Sequence, residues 1–391
     1  MTMTGTRCGL SKRFLVLLLS LFLPMACAGT NWAAAPEIRA VWADLQFNAD
    51  PEKGANEVRE FVKSVADANF NAIFPWVSSE YFAALTDEKY QKIVPVAKWD
   101  ALGQLLKVSQ EKGLQVHLWY SFTGNKSSRS PEFDPVHGGN PNWAAIRTDE
   151  LYADDTGRIF PKRMTTLCPL RREGREWELR LLESLLEKYP SISGIHIEEP
   201  GYEGGGNCVC DLCRGVFQQI YGLSDRLNAD GPQAADLKCL GTTEFMRELR
   251  KRTRAKNRFL VLSANGAFSW DSDRGSGRDW KRWAELKWLD FYVPQIYSGD
   301  LNLFRNRVQR TISDLGGACP VIVGIAVKSG PGPEGKYGNS VETILREIDI
   351  ARQSGAKGIV IFRDKFLKDE HLIALKAGPF REPATFPKFG E

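Results

Sequence analysis

The chain has 391 residues, of which 43% are hydrophobic and 26% charged, with 35 Gly and 20 Pro. This composition excludes low-complexity, collagen-like and disordered polymers, and the length allows either one large barrel or two to three smaller domains. With 52 Lys+Arg against 48 Asp+Glu and no basic stripe, it also argues against a nucleic-acid partner; the Arg/Lys run at 247–258 reads as a solvated helix face.

Residues 1–28 read as a signal peptide. Arg7, Lys12 and Arg13 precede an apolar run, Phe14 to Leu23, that is too short to stay in a membrane as a span. Ala26-Cys27-Ala28 offers small residues at both cleavage-determining positions, which places cleavage after Ala28. The alternative is lipid anchoring through Cys27; against it, Pro24 stands where a lipoprotein signal has an aliphatic residue. No later stretch is long and apolar enough to be transmembrane. Cleavage would leave 49 Lys+Arg and 48 Asp+Glu in an exported protein, periplasmic or extracellular.

From Glu37 to about residue 380, short β-branched and aromatic runs alternate with helical patterns. Arg39 to Leu45 is the first expected strand. Ala55 to Asn69 follows with Val58, Phe61, Val62 and Val65 at helical spacing. Ala72 to Val77 is the second strand, and Trp99 to Lys112 a helix stopped by Gly113. Leu114 to Phe122 is the third strand, followed by a long irregular stretch, 123–168. Helix 173–188 leads to strand four, Ser193 to Glu199. Segment 212–257 is mostly helical. Strand five is Arg258 to Asn265, then a helix over 279–287. Strand six is Leu289 to Tyr297, then a helix over 301–315. Strand seven is Pro320 to Val327, followed by a Gly/Pro-rich loop (328–340) and helix 341–354. Strand eight is Lys357 to Arg363, and a short helix begins near Glu370.

Eight such alternations predict a single-domain α/β fold, a (β/α)₈ TIM barrel over residues 37–380. The strands are near-continuous apolar runs, as expected when both faces are buried. A doubly wound open sheet would carry a Gly-rich phosphate turn after its first strand, and QFNADPEKG after Leu45 is not one.

In such barrels the residues at strand C-termini face the shared pocket. Strand one offers Asp44, and strand three His117, Trp119 and Tyr120. Strand four offers His196, Glu198 and Glu199, and strand five Asn265. Strand six offers Gln295, Tyr297 and, just beyond, Asp300. Strand seven offers Lys328, and strand eight Arg363 and Asp364. Two adjacent carboxylates at the end of an apolar strand are expensive to bury, and crowding raises the proton affinity of one of them, as an acid catalyst requires. The structural alternative pairs one of them with Arg363 or Lys328. Glycosidic cleavage needs two carboxyl groups. Strand seven ends Ile325-Ala326-Val327-Lys328 with none, so Asp44, Asp300 and Asp364 are open as the second. Trp42, Trp76, Trp119 and Tyr297 are candidates for stacking on sugar rings, or else barrel packing. His117 and His196 are wall or substrate-binding candidates, more naturally hydrogen-bonded core residues than metal ligands. Asn265 and Gln295 complete the substrate-binding set.

Cys208-Val209-Cys210-Asp211-Leu212-Cys213 is C-x-C-x-x-C, three thiols that can converge on one tetrahedral metal. Cys168, at the end of the third loop, is the best fourth ligand. A closed four-thiolate zinc site would be structural, clamping the loops that leave strands three and four. Disulfides are the alternative in an oxidising compartment, although pairs within C-x-C-x-x-C are strained as bridges.

These residues carry two resemblances. Arg39-Ala40-Val41-Trp42, Asn69-Phe70-Asn71-Ala72-Ile73-Phe74-Pro75, Gly113-Leu114-Gln115-Val116-His117-Leu118-Trp119, Asn140-Pro141-Asn142-Trp143, Ser193-Gly194-Ile195-His196-Ile197 before a carboxylate pair, and Tyr292-Val293-Pro294-Gln295-Ile296-Tyr297 together resemble the glycosyl hydrolase-like 10 family over residues 37 to about 330. That family's pattern ends strand four with paired Asp, where this chain has Glu198-Glu199. The resemblance implies hydrolysis of carbohydrate, such as cell-wall or other polysaccharide glycans. Locally, Glu199 followed by C-x-C-x-x-C is similar to the zinc-bearing β-galactosidases of glycoside hydrolase family 42. That similarity implies Glu199 as the acid and Cys168, Cys208, Cys210 and Cys213 as zinc ligands. Those enzymes have Asn before the Glu, where Glu198 stands here, and their strand-seven nucleophile has no counterpart.

The expectation is an exported O-glycosyl hydrolase acting on a poly- or oligosaccharide. Glu199 is the leading acid, Glu198 its partner or a substrate-binding group, and Asp44 or Asp300 the second carboxylate. A catalytically inactive glycan-binding barrel is the first rival. A zinc-dependent hydrolase such as a deacetylase is the second, and it needs an open metal site that only four His could help to build.

Overall fold

The first strand, Ile38–Ala43, is buried at all six positions and has no polar face to turn to water. Such a strand needs cover on both sides, which a parallel ring inside a layer of helices supplies. The structure is a computed structural model that describes residues 36–44, 46–77, 99–122, 144–153, 159–202, 208–222, 231–329 and 337–389. The expected signal peptide, residues 1–28, lies outside them, and residues 34–391 form one unit.

Seven more parallel strands join the first: Ala72–Pro75, Gln115–Ser121, Gly194–Glu198, Val261–Gly266, Phe291–Pro294, Val323–Ala326 and Gly358–Phe362. In chain order these are strands two to eight, and with the first they make the eight expected from the sequence, each a little shorter than its apolar run. Pairing runs 6-5-4-3-2-1-8-7 around the sheet. Two isolated parallel bridges, Tyr292 to Val321 and Gln295 to Gly324, link strand six to strand seven and close the ring. The (β/α)₈ barrel is therefore the observed fold.

Helices begin and end where local chemistry says they should. Asp50 accepts from Glu52 N at 3.1 Å and Lys53 N at 3.0 Å, capping Pro51–Asp67 with proline in its first turn. Ser340 caps Val341–Gln353, and Gly316, at φ 54°, ends Leu301–Leu315. Among the described residues, no helix is long and apolar enough to cross a membrane.

The stretch after strand three is not wholly irregular. Ala144–Ala153 and Ile159–Leu167 pair as an antiparallel hairpin, with Tyr152 opposite Phe160. Charged Arg147, Asp149 and Glu150 interrupt the first arm, so it lacks the apolar run by which the barrel strands are read.

Strand alternation divides the core. Val41, Ile73, Leu118, Ile195, Leu262 and Ile361 face the helices. Ile38, Trp42, Phe74, Phe291, Val293 and Val360 fill the barrel axis. A Cβ on Gly324 would lie 2.9 Å from the Trp42 indole, so strand seven has glycine where the indole crosses the axis. At the opposite end from the rim, Phe386 packs edge-on to His117 at 5.3 Å and Phe389 on Phe291 at 5.7 Å, closing the floor.

Behind strand seven, Glu347 is fully buried, and among the described residues its carboxyl meets only the Asn339 amide, at 3.1–3.2 Å. Burial pushes its pKa up from 4.5 to about 9. The folded state therefore keeps a proton that the unfolded chain releases above pH 4.5. The stability this group contributes is complete below pH 4.5 and is lost as pH rises towards 9. Glu347→Gln should flatten that dependence: near-equal melting temperatures at pH 5, and a variant more stable by roughly 1–3 kcal/mol at pH 9. Parallel melting curves for the two proteins across that range would refute it.

Candidate active site and metal centre

Side chains two residues apart on a strand share a face, so each inner row climbs the axis to the rim. On strand four the row is Gly194, His196, Glu198; on strand three, His117, Trp119; on strand five, Ser263, Asn265; on strand six, Val293, Gln295. The lower members are interior. His117 and His196 are fully buried, with His117 stacked on Phe74 at 5.0 Å and His196 Nδ1 2.9 Å from Ser263 Oγ. Burial lowers the pKa of both, that of His117 to about 3, so they are neutral interior groups. Trp42 is equally buried, 6.1 Å from Trp119 and 5.8 Å from His196. These three expected substrate-binding residues pack the barrel below the mouth, because alternation gives the face but not the depth.

The upper members meet at Glu198. Trp119 Nε1 donates to its Oε2, Asn265 Nδ2 donates to the same oxygen at 2.5 Å, and Gln295 Nε2 donates to Oε1 at 3.5 Å. Three strand ends thus aim N–H donors at one carboxyl group. An ionised carboxylate accepts only, and it is the form that such a ring of donors satisfies. Trp76 stands edge-on to Trp119 at 4.6 Å.

Glu199 leaves the strand row. Its φ is 34°, a left-handed backbone uncommon for a residue with a side chain. The turn is held by Asn265 Oδ1, which accepts the Glu199 N–H at 2.7 Å. One amide therefore fixes both glutamates, one by its side chain and the other by its backbone. The Glu199 carboxylate lies 3.4 Å from Arg278 Nη2, and its side chain is 32% exposed. Arg278 in turn bonds the buried Asp273 at 2.9 Å.

Strands one and eight place a second acidic group at the rim. Asp44 pairs with Arg363 at 2.7 Å, and its N–H donates to Asp364 Oδ1 at 3.1 Å. Burial raises the Asp364 pKa to about 6, against the pull of its hydrogen bond from Asp44 N–H. Strand eight stands four places from strand four in the ring of eight, directly across it. The Tyr297 ring lies 5.4 Å from Phe362, and burial, with the charges of Glu198 and Glu199, raises its hydroxyl pKa; that hydroxyl has no hydrogen-bond partner among the described residues. Asp300 is elsewhere. It is exposed and caps Leu301–Leu315, accepting from Asn302 N at 2.9 Å and Leu303 N at 3.0 Å. A carboxylate beside a predicted helix start carries that capping signal in the sequence. Arg278 and Asp273 lie between strand five and helix 279–287, where the sequence predicts no element; the charged residues between Trp270 and Trp280 are the available sign.

The three cysteines of C-x-C-x-x-C converge with Cys168. Cys168, Cys208, Cys210 and Cys213 are buried with their sulfurs all within 4.8 Å of one another, Cys168 to Cys213 at 3.5 Å and Cys168 to Cys210 at 3.9 Å. A tetrahedral ion with bonds of about 2.3 Å to sulfur requires sulfurs about 3.8 Å apart, so the set fits a metal. No disulfide forms among the six described cysteines. Cys210 immediately precedes Asp211–Tyr221, and its hydrogen bonding with Cys168, Cys208 and Cys213 holds its thiol below the ordinary range. Tyr202, Val209, Phe217 and Leu237 enclose the cluster. It is a buried four-thiol site able to hold a metal ion, and four ligands leave no position open for chemistry.

The model of the family described as Glycosyl hydrolase-like 10 matches residues 37–327. No curated protein matches the chain. Among solved structures, the glycoside hydrolase domain of PgaB (BpsB) from Bordetella bronchiseptica is similar at a TM-score of 0.62 and 16% identity, over 88% of this chain and 99% of that one. The catalytic domain of a β-amylase from Paenibacillus polymyxa gives 0.58 and 12%, over 89% and 99%. A β-galactosidase from the psychrophilic Marinomonas ef1 gives 0.55 and 13%, over 83% of this chain and 54% of that one. At these identities the likeness is one of fold.

Proposed function

Because the chain belongs to the glycosyl hydrolase-like 10 family, we propose that it is a hydrolase of O-glycosidic bonds in a poly- or oligosaccharide, working outside the cytoplasm after loss of residues 1–28. The observation that carries this is the convergence of Trp119, Asn265 and Gln295 on Glu198, with Glu199 beside it in a left-handed turn. A carboxylate braced by three strand ends is suited to the positive charge that develops on the sugar ring as the bond breaks. Glu199, one-third exposed and free of the strand row, is assigned as the proton donor. Asp364, across the barrel and protonated up to about pH 6, is the second carboxyl available for the cycle; Asp44, tied to Arg363, positions it. Trp76, Trp119 and Tyr297 are assigned to the walls that hold sugar rings. The four thiols are assigned to a structural zinc ion, which would tie the end of the 144–167 hairpin to the segment after strand four.

One observation favours the rival, a glycan-binding barrel without turnover: strand seven ends Ala326-Val327-Lys328 and supplies no carboxylate. The discriminating experiment is a screen of the mature protein, Glu199→Gln and Asp364→Asn on a glycan panel that includes peptidoglycan-derived strands. The parent should release reducing ends, and Glu199→Gln should lower the rate by roughly 10²–10⁴-fold. Equal release by parent and Glu199→Gln, with loss in Asp364→Asn, would move the proton-donor role across the barrel. Binding without release by the parent would favour the rival.

A further inference from the structure

Glu199 is held from outside its own strand by an arm that reaches over from strand five. Past Gly266 at that strand's end, the chain folds into the short helix Trp270–Arg274, turns through 275–277 and delivers Arg278. The base of the arm is Asp273, 1% exposed. It accepts from Ala267 N at 2.7 Å, Trp280 Nε1 at 2.8 Å, Tyr292 Oη at 3.1 Å and Arg278 Nη1 at 2.9 Å. The other Nη of Arg278 faces the Glu199 carboxylate.

The arm is built to reach. A Cβ on Gly201 would sit 2.4 Å from Ser276 O, 3.1 Å from Arg278 Cγ and 3.4 Å from its Nε; a Cβ on Gly266 would sit 2.7 Å from both Asp273 Oδ2 and Tyr292 Oη. The chain thus lacks a side chain at Gly201, where the turn and the arginine stem pass, and at Gly266, where the Asp273 anchor packs. The turn that carries it is fastened on both sides. Tyr202 N–H donates to Ser276 O at 2.8 Å, Lys238 Nζ to Gly275 O at 2.6 Å, and Thr242 Oγ1 to Gly277 O. Asp273 has three donors besides the arginine and already balances its charge, while Arg278 Nε is buried with no hydrogen-bond partner among the described residues. An arginine placed only to neutralise Asp273 would need neither the room at Gly201 nor a second nitrogen turned to Glu199.

We infer that Arg278, anchored by Asp273, is a positioning residue that sets the direction of the Glu199 carboxylate, and that Gly201 is its clearance. This rests on the assignment of Glu199 as proton donor. Because Asp273 balances its charge, Arg278 gives Glu199 an oriented donor more than a net positive field. Its loss should therefore misplace the acid while leaving the sugar-binding walls in place.

The test uses the mature protein with Arg278→Gln, Arg278→Lys and Gly201→Ala, each read by crystal structure, melting temperature, and kcat and KM. In Arg278→Gln the Glu199 side chain should leave its parent rotamer, while Glu198 keeps Trp119, Asn265 and Gln295. Its kcat should fall about 10–10²-fold with KM within about twofold, as expected for a displaced reacting group. Arg278→Lys should recover part of kcat, because one ammonium can serve Asp273 or Glu199 but not both in a fork. Gly201→Ala should reproduce the loss with the guanidinium still present. A Glu199 carboxylate that stays in place in Arg278→Gln, or a kcat that drops only in step with melting temperature, would overturn the assignment. If the parent hydrolyses no glycan, the hydrolase proposal fails, and the Glu199 rotamer still decides the positioning role.

Discussion

Glu198→Gln is expected to lower kcat on any glycan that the protein cleaves by about 10³-fold, as loss of a preorganised charge at the reacting centre does. The cause lies in the donors around the carboxyl. Trp119, Asn265 and Gln295 each present an N–H to it. Glutamine keeps the shape but replaces one acceptor oxygen with an NH₂ group, which faces at least one of those donors. The charge that would stabilise an oxocarbenium-like sugar goes with it. An unmet donor in a mostly buried place costs about 1–3 kcal/mol, so a few degrees of melting temperature should be lost as well. The rate and the stability must therefore be measured together. Glu198→Asp serves as the partner variant: it restores charge but withdraws it by one methylene, and should sit between the parent and Glu198→Gln. A Glu198→Gln protein with parental kcat would remove the braced carboxylate from the chemistry.

The second large effect is at the cysteines. Elemental analysis of the purified protein should find about one zinc per chain, as a single four-ligand site demands. Cys168→Ser and Cys210→Ser should each lose it and melt roughly 10 °C lower, because metal binding to a site absent from the unfolded chain is folding energy. The cost has an architectural reason. Cys168 follows the 144–167 hairpin, whereas Cys208, Cys210 and Cys213 belong to the segment after strand four. The helix Pro232–Lys256 touches both, with Leu237 in the apolar shell and Gly241 so close to Pro169 that a Cβ would lie 2.6 Å from its carbonyl carbon. Cys239→Ser, outside the cluster, is the control and should keep the metal. Metal-free protein with oxidised thiols would favour disulfides instead.

Much of the barrel was legible because buried parallel strands are written as unbroken apolar runs, and each run had its helix after it. Cys168 was legible as the fourth member of the cysteine cluster because it closes the loop that faces the C-x-C-x-x-C turn. Other features were less accessible. Trp42, His117 and His196 lie on the inner face as alternation says, but their height above the floor depends on where each strand starts relative to its neighbours, for instance His117 opposite Gly194. That register is a property of pairs of strands, and no single run contains it. Asp300 carried two meanings, strand end and helix start, and the helix took the carboxylate. Arg278 acts on Glu199 from 79 residues further along the chain. Its partner could not be read without knowing that strands four and five are neighbours and that Gly201 leaves room for the turn that carries it.

The stoppered floor bears on how a long sugar chain would be handled under the proposed function. Phe386 and Phe389 seal the lower end, and His117, Phe74 and Phe291 are stacked in the shaft above them. Among the described residues the shaft offers a polymer no tunnel to thread. Under the proposed function a polymer would be laid across the rim like a rope over a bollard, and whatever is cut would leave by the same side on which it arrived. The direction and grip of that rope would then fall to the loops around the rim rather than to the residues inside the shaft.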